Sequence, residues 1–378
     1  MPWREKDKMS LRLEFVMMAQ QPGANMRELC RRFKISPTIG YETLARFKEG
    51  GVEALAERSR RPHHSPARTA TEVEQRVVAL RKKHPAWGGR KLRRRLKDLG
   101  YEDLPAPSTI TGILHRHDLI SAEQSQQSQA WQRFVRREPN QLWQMDFKGH
   151  FALSNGRCHP LTVLDDHSRF NVLLQACVDQ KENTVMAALR RAFEIYGMPD
   201  AILCDNGSPW GSGGYEHTGL SIWLLRLGIG VYHGRAYHPQ TQGKEERFHR
   251  TLNAEVIQRG GWSDWAQVQK GFDDWRCIYN CQRPHEALAM ATPAARYTVS
   301  QRIYPTQLPA LEYAPEVQVR RVDPNGHISY RNRLWKIGRA FHQQSVGLRP
   351  TAEDAIIEIL FGPHVIKTID LRLNTTNQ

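Results

Sequence analysis

Residues 142–151 (LWQMDFKGHF), 157–166 (RCHPLTVLDD) and 168–178 (SRFNVLLQACV) decide the fold. Each is a short apolar or alternating run bounded by turn-forming residues, the pattern of three adjacent antiparallel strands. Downstream the period changes. A helical pattern spans Glu182 to Tyr196, a buried strand follows in DAILCD (200–205), and a second helix runs from about Ser221 to Leu227. A short strand near Val231 and a long helix from Gly243 onward complete the segment. Strands first, then helix and strand in alternation, give a mixed sheet covered by helices, an α/β core over residues 138–300. After Pro284 the chain turns irregular. Between Glu316 and Arg372 the runs VQVRRV, HISYRNRLWKIG, SVGLRP and AIIEILFGPHVIKTIDL alternate around DPNG and FGPH turns, which predicts a small C-terminal β-barrel over 311–375.

On the N-terminal side the reading is all-helical. Residues 10–19 are apolar at helical spacing, Pro22 and Gly23 interrupt them, and a short helix follows from Met26 to Phe33. A third helix begins after Ile35, with Ser36 as N-cap and Pro37 in its first turn. Its inner face is expected to carry Tyr41, Leu44 and Phe47, leaving Arg46 and Lys48 for solvent or DNA. Three short helices with a tight turn before the third describe a helix-turn-helix over residues 1–58, although a plain helical bundle has the same pattern. The stretch ERSRRPHHSPART that follows marks an extended basic linker over residues 59–70, with Arg60 and Arg61 as DNA-backbone candidates. A second helical unit over 71–120 is predicted from Thr71–Lys83, Gly89–Leu99 and Ser108–His117. Its middle helix places six cations in the eight positions 90–97, Arg90 and Arg94 among them, with no acid until Asp98. A polar, Gln-rich linker (121–137) joins it to the core.

Charge supports that division. Residues 1–140 hold 28 Lys and Arg against 16 Asp and Glu, so +12 of the net +15 lies in the first third of the chain. A basic excess mixed with acids and confined to one region suggests a folded surface facing a polyanion, with solubility as the plain alternative. The six cysteines include no CxxC pair and read as reduced; His63, His64, Cys277 and Cys281 lack the spacing of a zinc site. No stretch has the apolar centre of a signal peptide or the length of a membrane span, so a cytoplasmic, nucleoid-associated protein is expected.

Three acids stand among apolar neighbours, where a charge needs a reason. Asp146 lies within the first strand, Asp205 ends the buried strand in ILCDNGSPW (202–210), and Glu246 opens the last helix in HPQTQGKEERFHRTL (238–252). If the first and fourth strands are neighbours, both aspartates reach one sheet edge and the helix supplies the third carboxylate. Such a set is suited to Mg²⁺ or Mn²⁺. Glu245 is a rival for the third position, about 100° away on the helix face. Asp165 and Asp166 end a strand and are expected to cap its turn. His238 and Gln240 precede the last helix, where helix entry competes with phosphate contact.

These segments resemble the ribonuclease-H-like core shared by retroviral integrases and the DDE transposases of bacterial insertion sequences. The resemblance rests on LTVLDDHSRF, DNGSPW, HPQTQGKEERFHRTL and YNCQRPHEALAMATPAARY (279–297) and is close over residues 140–297. It implies a catalytic, metal-binding triad of Asp146, Asp205 and Glu246, the family glutamate standing directly before Arg-Phe. Two metal ions per site would then support in-line phosphoryl transfer. It also implies binding of terminal inverted repeats, strand cleavage and strand transfer, with DNA ends and target DNA as partners, self-association as a dimer or more, and neither membrane nor small-molecule substrate. Asn206, Lys244, Arg247 and Arg250 are the expected phosphate contacts near the triad. The sequence departs from the family twice. The 40 residues between Asp205 and Glu246 exceed the usual interval, which the Gly-rich GSGGYEHTG accommodates, and Asn253 stands where relatives carry Lys. A catalytically silent, domesticated transposase acting as a regulator is the alternative.

Overall fold

The computed structural model describes residues 8–57, 69–120, 135–205, 207, 209–211, 217–234 and 243–373. Arg60, Arg61, His63, His64, Asn206, His238 and Gln240 lie outside the described residues. The chain divides into two compact units, 1–68 and 69–378.

The first unit contains α1 (Lys8–Ala19), α2 (Met26–Arg32) and α3 (Pro37–Gly50), closed by one 3-10 turn at Glu53–Leu55. The Asn25 side chain caps α2 by accepting from the N–H groups of Arg27 and Glu28, and Ser36 Oγ caps α3 from Ile39 N. The turn between them is tight because Lys34 takes a left-handed conformation at φ 55°. Phe15, Val16, Cys30 and Leu55 form the buried centre, with Leu44 and Phe47 packed against it. The inner face of α3 turns on Gly40, where a Cβ would sit 2.6 Å from Cys30 Sγ. Tyr41, expected inside, is 59% exposed. It follows Gly40 by one position, and the helix rotation that buries Gly40, Thr43, Leu44 and Phe47 carries it outward.

The second unit begins with α4 (Thr71–Lys83), α5 (Gly89–Asp98) and α6 (Pro107–Arg116) around Val77, Trp87, Leu92, Leu96, Ile110, Ile113 and Leu114. A mixed sheet follows: β1 (Trp143–Phe147), β2 (Phe151–Leu153), β3 (Gly156–Asp165), β4 (Asn171–Cys177), then α7 (Glu182–Tyr196), β5 (Ala201–Cys204), α8 (Gly219–Arg226) and β6 (Gly230–His233). Strand order is β2-β3-β1-β5-β6, with β4 on the other side of β3. The three runs that open the sequence reading form β1, β3 and β4, antiparallel as expected. β5 and β6 then run parallel beside β1.

Two layers of helix cover this sheet. α7 and α8 bury one face around Trp143, Met145, Phe193, Ile202 and Trp223. α9 (Gly243–Glu255) and α10 (Trp265–Cys281) bury the other with Phe248, Leu252, Phe272, Trp275 and Tyr279 on Leu164 and Leu174. The long helix expected from Gly243 is thus two helices; the chain breaks after Glu255 and restarts where Asp264 caps α10 through Gln267 N. Asn280 clamps α10 to β4, accepting from Asn171 N and donating to Asn171 O. Ile278 of the same helix packs on the α4–α6 core.

The C-terminal segment corrects the expected barrel. β7 (Gln318–Arg321), β10 (Ser345–Pro350), β11 (Ile356–Phe361) and β12 (His364–Asp370) form an open four-stranded sheet in the order β12-β11-β10-β7. β8 (His327–Tyr330) and β9 (Arg333–Lys336) form a separate hairpin. A barrel closes only when every edge is paired. Here the shared core of Val322, Trp335, Phe341, Val346 and Phe361 rests instead on Ile222 and Leu225 of α8, which cover the apolar face in place of further strands.

Candidate active site

β1 and β5 bring the first two acids together. Trp143 is level with Ile202 and Gln144 with Leu203 in the parallel pairing, so Asp146 and Asp205, each three residues past the first pair, leave the sheet at the same level. Asp146 is mostly buried, with a quarter of its side chain exposed, and Asp205 is exposed. Burial pushes the Asp146 carboxyl up to about 6; a bond from Phe147 N–H opposes the rise and the charge of Asp205 adds to it. A cation would offset the Asp205 charge that adds to the rise at Asp146, and both residues offer only oxygen donors, the kind suited to Mg²⁺ or Mn²⁺. Asp146 and Asp205 thus offer two carboxylates of the donor type a hard divalent ion takes. Among the described residues, no group of three or more His, Cys, Asp and Glu is close enough to hold a metal ion.

The third acid is where the two neighbours on α9 separate. Glu245 faces the sheet at 1% exposure, its Oε2 accepting from Thr162 Oγ1 at 3.0 Å and its Oε1 without a partner among the described residues. Burial raises its carboxyl well above the usual range, and the charge of Asp146 adds to that. Glu246, in the same helical turn, is exposed. The structure thus brings Glu245 against Asp146 and leaves Glu246 exposed.

His249 joins them. One helical turn after Glu245, it places Nε2 2.8 Å from Thr162 Oγ1 and 3.5 Å from Glu245 Oε2, with Nδ1 3.9 Å from Asp146 Oδ2. Burial, aided by Lys148, lowers His249 to about 4. Neither Thr162 nor His249 was reached from sequence. The i to i+4 spacing of Glu245 and His249, continuing through Leu252 on the buried face, is the signal that could have found the histidine.

The two aspartates of the following turn serve structure. Asp165 Oδ1 accepts from Ser168 N at 2.7 Å and Oδ2 from Asn140 N at 2.7 Å, fixing the turn and the chain entering β1. Asp166 accepts from Arg136 N and Gln144 Nε2, and it holds Lys244 in a buried ion pair. Lys244, expected at DNA phosphate, is therefore engaged with the sheet. Arg247 and Arg250 are exposed on α9. Elsewhere Arg90 and Lys48 are exposed, Arg94 pairs with Asp98, and Arg46 donates to the carbonyls of Ala54 and Ala56. No helix among the described residues is long and apolar enough to cross a membrane.

Comparison with known proteins agrees with this architecture. Residues 11–63 match a helix-turn-helix domain and 39–114 a homeodomain-like domain. Residues 136–239 and 227–293 match integrase core domains, and 317–377 match the IS481 family transposase C-terminal domain. The chain is 31% identical over 157 residues to the insertion element IS407 uncharacterized 31.7 kDa protein of Burkholderia multivorans, covering 41% of this chain and 54% of that one. It is 28% identical over 166 residues to the insertion element IS476 uncharacterized 39.2 kDa protein of Xanthomonas euvesicatoria, 43% of this chain and 46% of the other. The chain thus spans about half the length of these relatives. The Gag-Pro-Pol polyprotein of simian retrovirus SRV-2 is 34% identical over 128 residues, 33% of this chain and 7% of the polyprotein. Among solved structures, the HTLV-2 integrase catalytic core domain in complex with magnesium aligns at TM-score 0.33 and 15% identity, over 42% of this chain and 97% of that one. Models of a helix-turn-helix domain, an integrase core domain and the IS481 family transposase C-terminal domain match successive stretches of one polypeptide, and the chain is similar over its core to proteins of bacterial insertion elements.

Proposed function

We propose that the protein binds the terminal inverted repeats of an insertion sequence and catalyses metal-dependent DNA strand cleavage and strand transfer. The observation that carries the reading is the pairing of β1 with β5, which sets Asp146 and Asp205 side by side at the exposed edge of an integrase-type sheet. Asp146, Asp205 and Glu246 would hold two Mg²⁺ or Mn²⁺ ions, which supply nucleophile activation and stabilisation of the leaving oxygen. Glu246 is the third ligand in this reading because a group that must meet an ion, water and a DNA phosphate has to lie at the surface. Glu245 is sealed under the helix with one oxygen on Thr162. Its closeness to Asp146 supports the second assignment, Glu245 in place of Glu246, and the test below separates them.

The remaining groups act by binding and orientation. Arg247 and Arg250 present cations on the exposed side of α9, and Lys244 with Asp166 holds the start of that helix on the sheet. Arg90 and Arg94 of α5, Lys48 and Arg46 of α3, the linker cations Arg60 and Arg61, and Asn206 would follow the DNA. The exposed Tyr41 and Ile39 on α3 add apolar contact for base edges. Joining two ends requires at least two protomers on DNA. On a labelled duplex carrying the element's end, Asp146→Asn, Asp205→Asn and Glu246→Gln are each expected to abolish Mg²⁺-dependent cleavage while binding persists, and Glu245→Gln to retain it. Loss in Glu245→Gln with activity kept in Glu246→Gln would reverse the assignment on α9. Binding without cleavage by the wild type in either metal would leave a DNA-binding regulator.

A further inference from the structure

Beneath the proposed metal edge lies a group of polar side chains, Thr162, Glu245 and His249, to which the favoured assignment of Asp146, Asp205 and Glu246 gives no metal to hold. Thr162 sits directly across from Asp146 in the β1–β3 pairing, so both side chains stand on the face that α9 covers. Its single hydroxyl is shared by three neighbours: Asp146 O at 3.0 Å, Glu245 Oε2 at 3.0 Å and His249 Nε2 at 2.8 Å. His249 is fixed from both sides, its ring 14% exposed, with Phe248 packed beside it in the core and Nδ1 turned to Asp146 Oδ2 at 3.9 Å. Burying three polar groups where apolar side chains would pack more cheaply calls for a reason in the site above them.

We infer that His249 is a positioning residue, held by Thr162 and Glu245, whose Nδ1–H orients the Asp146 carboxylate toward the metal. This rests on Asp146 being a metal ligand. The inference takes the tautomer with the proton on Nδ1, toward the Asp146 carboxylate, which only accepts. Nε2, 3.5 Å from Glu245 Oε2, then accepts the single Thr162 proton, which in that arrangement goes to neither Asp146 O nor Glu245 Oε2. Outer partners of this kind fix the rotamer of a ligand, and their removal weakens metal binding by about 10–100-fold. At 3.9 Å the two atoms stand in ion-pair range and beyond hydrogen-bond length, so the proposed orienting bond requires them to close by about 1 Å.

Asparagine places its amide nitrogen where His249 has Nδ1, and glutamine places its own where His249 has Nε2, so the two substitutions separate the two contacts. Mn²⁺ binding to the full chain, followed by electron paramagnetic resonance, and the Mg²⁺ concentration for half-maximal cleavage give two readouts; end-duplex binding checks the fold. His249→Asn is expected to stay within about 3-fold of wild type, and His249→Gln and His249→Ala to weaken both metal readouts by about 10-fold or more with DNA binding unchanged. Thr162→Val, which leaves the histidine unanchored, is expected to weaken metal binding in the same direction. Wild-type Mn²⁺ affinity in His249→Ala, or equal losses in His249→Asn and His249→Gln, overturns the inference. Asp146→Asn serves as reference: if it leaves Mn²⁺ binding unchanged, the metal-site reading itself has failed, whereas a loss there without one in His249→Ala sinks the positioning role alone.

Discussion

Single side chains show how position overrides type. Lys244 reads from sequence as a phosphate contact, yet it is paired with Asp166, which is fully buried. Removing one member of such a pair strands the other charge, so Lys244→Met should lower stability by about 3–5 kcal/mol in denaturant titration and leave the salt dependence of DNA binding unaltered. A reduced salt slope at unchanged stability would return Lys244 to the DNA. His84 is a second case. It is buried and stacked on Trp87 with ring centroids 4.0 Å apart, and burial, with Lys83 beside it, lowers it to about 4. The folded state therefore takes up this proton later than the unfolded state does. Its contribution to stability is complete above about 6.5, the unfolded value, and is lost as pH falls from there toward 4. Thermal melts across that window should fall more steeply for wild type than for His84→Gln; equal slopes would show that His84 titrates normally.

At the scale of elements, α9 carries both the proposed third ligand and the proposed positioning residue, and it is held down by Phe248 and Leu252. Phe248→Ala should cost about 3–5 kcal/mol in stability and, by loosening the turn between Glu246 and His249, weaken Mn²⁺ binding as well. A stability loss with intact metal affinity would mean that the helix is positioned by other contacts. Much of the element layout was legible in sequence, because alternation marks β1, β3 and β4, and Ser36 with Pro37 announces α3. Asp146 and Asp205 were legible because a charge that ends or interrupts an apolar strand is conspicuous. The inward turn of Glu245 was not, since adjacent acids in a first helical turn look alike until the helix phase is set by Phe248. The open C-terminal sheet was equally hidden: alternation gives strands, whereas closure depends on whether Ile222 and Leu225 of a distant helix cover the face.

For the whole molecule, a basic front end precedes a nearly charge-balanced core, and the proposed function would assign the first to holding DNA and the second to acting on it. Arg90, exposed in the cation-rich α5, should contribute one phosphate contact, so Arg90→Ala is expected to reduce the slope of log binding constant against log salt by about 0.9 without changing sequence preference. An unchanged slope would leave α5 as a solvated face. The most direct test of the central claim is a strand-transfer assay with purified wild-type chain, Mg²⁺, a labelled duplex carrying the element's end and an unlabelled target. Covalent joining of the labelled 3′ end to target by wild type, absent in Asp146→Asn and Asp205→Asn that still bind the duplex, is the predicted result. Binding without joined product in wild type, in Mg²⁺ and in Mn²⁺ alike, would contradict it.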